Sequence, residues 1–123
     1  LRVTVAGIGK KEYTNHMSEA LSTLQANYFT LTENLDDYLD RCKTDDQKKA
    51  LKAEYQQARL NFYTARNRAF AMNDPQIAKV VVDLKAAQDS LQKLTEQLAD
   101  IAKIITAVTT AVRLGTELVG MGV

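Results

Sequence analysis

Apolar residues recur at strict intervals of seven from Ile77 through Leu84, Leu91, Leu98, Ile105 and Val112 to Val119, with Val80, Ala87, Leu94, Ile101 and Val108 between them. Such a repeat keeps one face of a helix apolar along its whole length, and neither Pro nor Gly interrupts it from Pro75 to Gly115. The pattern predicts one helix from Pro75 to about Leu118. A break near Asp100 is the alternative, but no turn residue marks it.

Two shorter stripes precede this run. Met17, Leu21, Leu24, Tyr28, Leu31, Leu35, Tyr38 and Cys42 step by four and three, which predicts a first helix with Asn15 as its cap. Thr44 followed by Gln47 has the form of a capping box, in which hydroxyl and amide satisfy backbone N–H groups at a helix start. The second helix then buries Leu51, Tyr55, Ala58, Phe62, Ala65, Ala69 and Met72, until Asn73-Asp74-Pro75 ends it and opens the third. With one Pro, five Gly and no Trp in 123 residues, the composition also suits long helices. Residues 1–16 read as a flexible lead-in; lacking an initiating Met and a signal pattern, they suggest a processed product.

Short connections favour antiparallel neighbours, so the expected fold is all-α: an antiparallel three-helix coiled-coil bundle over residues 17–102. The first two helices, at about 27 residues, span roughly 40 Å, whereas the third, at about 44, spans roughly 66 Å. The long third helix therefore overhangs the first two, leaving residues 103–123 as an apolar extension. Beside the seam this segment carries Ile104, Ala107, Ala111, Leu114 and Leu118, and only Lys103, Thr106, Thr110, Arg113 and Glu117 form a polar stripe.

An uncovered apolar segment needs a partner, because each wet Leu or Ile forgoes about 1.5–3 kcal/mol. Ile104, Ile105, Val108, Ala111, Val112, Leu114 and Leu118 are the expected contact residues, with Arg113 and Glu117 setting register across the contact. The functional expectation is a non-enzymatic interaction or assembly module, forming a homo-oligomer or binding a helical protein partner. On this reading Val108→Asp with Val112→Asp abolishes assembly and leaves the bundle folded. The alternative is a membrane-active, pore-forming or toxin-like protein that releases the segment into a bilayer. Lys103, Arg113 and Glu117 interrupt a stretch already too short for a simple spanning helix.

Other chemistry finds little footing. A net charge of +1 gives no global field for nucleic acid, and no nucleic-acid partner is expected. Lys52, Arg59 and Arg66 repeat at seven, with Lys48, Lys49 and Arg68 nearby; they are expected to shield the seam and face acids of the other helices. Glu33, Asp36, Asp37 and Asp40 lie off the apolar stripe, and the only histidine, His16, is remote from them, so no metal site is expected. Cys42 lacks a neighbouring base, and no catalytic or cofactor-binding residue is expected. A single cysteine suits a cytoplasmic protein and leaves secretion open. Tyr28, Tyr38, Tyr55 and Phe62 are expected in the core, while Phe29, Tyr63 and Phe70 lie beside the seam as candidates for a contact surface.

Overall fold

The computed structural model describes the backbone of residues 9–71 and 73–123, and the side chains from residue 19 onward except that of Met72. Residues 1–8 of the expected lead-in, and the side chains of Asn15, His16, Met17 and Met72, lie outside the described residues. The fold is all-helical, with α1 at Gly9–Arg41, α2 at Asp45–Ala65, α3 at Pro75–Glu96 and α4 at Ile101–Gly120. Among the described residues there is no strand.

The expected continuous third helix is two helices. At its C-terminus α3 closes in a Schellman motif: Ala99 N donates to Leu94 O at 3.0 Å and Leu98 N to Thr95 O at 3.2 Å. Leu98 takes the left-handed position, with φ 54°, where glycine is the usual occupant. Two residues on, Asp100 caps α4 by accepting from Ala102 N at 2.8 Å. The chain therefore doubles back, and there is no overhang. The short turn leaves the apolar faces of both helices pointing at the same core, so the seven-residue period survives a break that it conceals.

The other start signals act locally. Thr44 Oγ1 accepts from Gln47 N at 3.1 Å, and Gln47 Oε1 accepts from Lys43 N at 2.6 Å. Asp74 caps α3 with Pro75 in its first turn. Unlike the expected second helix, α2 stops at Ala65, and Ala69 lies in the connection to α3, where it exchanges both backbone hydrogen bonds with Val123 at 2.8 and 3.0 Å.

The cross-chain contacts fix the arrangement. Asn27 meets Gln88 and Tyr38 meets Thr95, so α1 and α3 run parallel. Asn61 meets Thr116 and Arg68 meets Val119, so α2 and α4 also run parallel. Each is antiparallel to its hairpin partner, and the two tight turns share one end, where Lys43 pairs with Asp100 at 3.7 Å. In this four-helix bundle α4 packs against all three other helices.

The core forms two apolar clusters. One, toward the open end, centres on Leu24, Phe70, Val81, Leu84 and Leu118. The other, toward the turns, centres on Leu31, Tyr38, Leu51, Leu91, Ile104 and Val108. Between them lies a polar layer. Asn27 donates to Gln88 Oε1 at 2.7 Å, Asn61 donates to Thr116 Oγ1 at 3.1 Å, and Gln57 donates to Asn61 Oδ1 at 2.9 Å. Gly115 admits the layer: a Cβ there would stand 3.2 Å from Leu24 Cδ2 and 3.3 Å from Asn61 Nδ2. Buried amides that find partners only in one alignment favour that alignment over slipped ones.

Candidate interaction surface

Most of the residues expected to meet a partner are interior. Ile104, Val108, Ala111, Val112 and Leu118 are buried in the chain's own core, while Ile105 and Leu114 are half-buried. Arg113 and Glu117, expected to set register between chains, point to solvent with Lys103 and Thr106. The threonines of this stripe satisfy their hydroxyls on the preceding turn, Thr106 donating to Ala102 O at 3.1 Å and Thr110 to Thr106 O at 3.0 Å. The cover that α4 needs is supplied by α1, α2 and α3.

Of the exposed large apolar side chains, Phe29, Leu60 and Tyr63 belong to α1 and α2, while Val82, Leu98 and Val123 lie elsewhere on the chain. Tyr28 of α1 stacks on Phe62 of α2 with centroids 5.8 Å apart, and Phe62 meets Tyr63 edge-on at 5.3 Å. Tyr55 and Phe29 complete the group, at 5.8 Å from Tyr28 and 6.2 Å from Phe62 respectively. Phe62 is buried, but Phe29 is 47% exposed and Tyr63 is 42% exposed. Leu60, 59% exposed, borders a groove of about 410 Å³ with Gln56, Arg59 and Tyr63.

Two guanidinium groups frame this ledge. Arg59 lies 5.2 Å and Arg66 5.5 Å from the Tyr63 ring centroid, within cation–π range. The hydroxyl of Tyr28 is held below the ordinary phenol range by its hydrogen bond with Tyr55, aided by Arg59 and opposed by burial. The expected pairing of the basic stripe with acids of the other helices is not seen: among the described residues Lys48, Lys49, Lys52, Arg59 and Arg66 make no ion pair. Arg68 instead donates to Val119 O at 2.9 Å, tying the α2–α3 connection to the end of α4.

Of the three aromatics expected beside the seam, Phe29 and Tyr63 reach the ledge, while Phe70 is buried against the end of α4. Leu60 gave no sequence signal, because a lone leucine off the stripe resembles ordinary surface. The interior amides Asn27 and Asn61 were also missed, since apolar periodicity does not count them.

The remaining reactive groups are quiet. Cys42 is half-buried and donates to Tyr38 O at 3.3 Å, and burial pushes its thiol above the usual range. Among the described residues no group of His, Cys, Asp and Glu is arranged to hold a metal ion. Between α1 and α3 runs an open polar groove of about 600 Å³, lined by Ser22, Ala26 and Thr30 opposite Lys85, Gln88 and Gln92. No protein-family model, curated protein or solved structure matches the chain.

Proposed function

We propose that the chain is a non-enzymatic helical interaction module that docks through the α1/α2 ledge. One observation carries this reading: Phe29, Leu60 and Tyr63 stand exposed beside Arg59 and Arg66, whose charges both meet the Tyr63 ring and, among the described residues, no carboxylate. Tyr and Arg are the residue types on which binding energy concentrates at interfaces, and here the Tyr63 ring packs on Phe62 while both guanidiniums lie over it. A contiguous apolar patch rimmed by charge is the usual mark of a docking face.

The test is photocrosslinking in the producing cell, with a benzophenone amino acid in place of Tyr63 or, on the exposed back of α3, in place of Val82. The ledge reading expects a discrete adduct from position 63 and none from position 82. Equal labelling from both positions, or none from either, contradicts it.

A membrane-active role is the second reading, supported by the strongly two-sided character of α4, which buries eight residues and presents Lys103, Thr106, Arg113 and Glu117 outward. No described helix is long and apolar enough to cross a membrane, so α4 acts on this reading by leaving the bundle and lying on a bilayer or assembling in one. Dye release from anionic vesicles on partial unfolding supports it, and intact vesicles at every pH count against it.

A further inference from the structure

We infer that the partner seated on the ledge is a second copy of this chain, related by a two-fold axis parallel to the helices; this rests on the ledge being a docking face. The charge pattern selects that occupant. On α1, Phe29, Glu33, Asp36 and Asp40 fall at helical spacing and all are exposed. On α2, Lys52, Gln56, Arg59, Tyr63 and Arg66 form the matching exposed stripe, with Lys48 and Lys49 toward the turn. Neither Glu33, Asp36 nor Asp40 makes an ion pair among the described residues, and neither do the bases of α2. Two unpaired stripes of opposite sign thus run side by side on one molecule.

Their heights match. The hairpin turns at Cys42–Thr44, which brings Asp40 level with Lys48 and Asp36 level with Lys52, while Phe29 lies beside Phe62 and Tyr63 farther along. A two-fold axis parallel to the helices lays α1 of one copy over α2 of the other at equal height. Each acidic stripe then meets a basic stripe, twice over, and Phe29 and Tyr63 of both copies close the centre. A two-fold axis across the helices instead sets α1 on α1 and α2 on α2, which opposes like charges and is disfavoured. The surface is self-complementary in one packing only, as an isologous contact requires. A net charge of +1 leaves no long-range repulsion between copies.

Size exclusion with light scattering on the full chain tests this. The expected mass is twice 13.7 kDa at about 50 mM salt, moving toward one chain at about 500 mM as the flanking pairs are screened. Lys48→Glu with Lys52→Glu is expected to give a monomer with unchanged helicity, and adding Asp36→Lys with Asp40→Lys to the same chain is expected to restore the dimer. A monomer at every concentration overturns the inference, and so does a dimer indifferent to both sets of reversals. Crosslinking from position 63 separates the two proposals. An adduct of two identical chains supports both, an adduct with a different protein keeps the ledge and overturns the second copy, and no adduct overturns both.

Discussion

Ala99 donates its amide to the carbonyl of Leu94 at 3.0 Å, across a backbone that carries Leu98 at φ 54°. That single bond marks where the chain reverses. A branched side chain in the left-handed region costs roughly 1–2 kcal/mol, which glycine avoids. Glycine in turn adds freedom to the unfolded chain, offsetting part of the gain. Leu98 is also 75% exposed, so its removal sacrifices little packing. Leu98→Gly is therefore expected to stabilise the fold by about 0.5–1 kcal/mol in urea unfolding; destabilisation by a similar amount argues against this turn.

Val108 has no exposure and belongs to the apolar cluster of Leu31, Leu51, Leu91 and Ile104. Val108→Asp is expected to cost about 4 kcal/mol or more, enough to unfold much of a small domain. A free overhang makes the opposite forecast, with the bundle intact and only assembly lost. Circular dichroism of the variant decides between them.

Gly115 is a matter of space. Gly115→Ala places its methyl slightly too close to Leu24 and Asn61, while helix propensity improves by about 1 kcal/mol, so a near-neutral effect is expected. Gly115→Leu has no such room. It is expected to lose about 3 kcal/mol in urea unfolding and to disturb the Asn61–Thr116 bond.

Asp100 is held below the ordinary carboxylate range by its bond from Ala102 N, with Lys43 adding to the effect. A depressed folded-state value gives stability that is present above the unfolded carboxylate range and lost as pH falls through the folded value. Melting temperature is thus expected to drop below about pH 4. Asp100→Asn keeps the cap and is expected to flatten this part of the profile, whereas Asp100→Ala lowers stability at neutral pH as well.

What could be read from the sequence divides along physical lines. The starts at Thr44 and Asp74 were legible because capping chemistry is local and uses side chains suited to it. The end of α3 was not, since Leu98 occupies a position that glycine normally announces. The end of α2 escaped for a different reason: Ala69 and Phe70 continue the apolar spacing, but Ala69 pairs with Val123 and Phe70 packs against the end of α4. On α1 the buried face is turned toward Ala20, Thr23 and Asn27, whose small or polar side chains leave no hydrophobic trace. Phe29 and Tyr63 could be singled out as aromatics beside a seam. Their meeting with Arg59 and Arg66 on one open face depends on how α1 and α2 pair.

The hairpin of α3 and α4 is the central claim, and one distance tests it. Lys79 stands exposed near the start of α3 and Glu117 exposed near the end of α4. Spin labels at Lys79→Cys and Glu117→Cys, with Cys42→Ser to remove the native thiol, are expected to lie within about 20 Å of each other, as neighbouring packed helices require. A separation of roughly 57 Å, the span of one continuous helix between those positions, would contradict it.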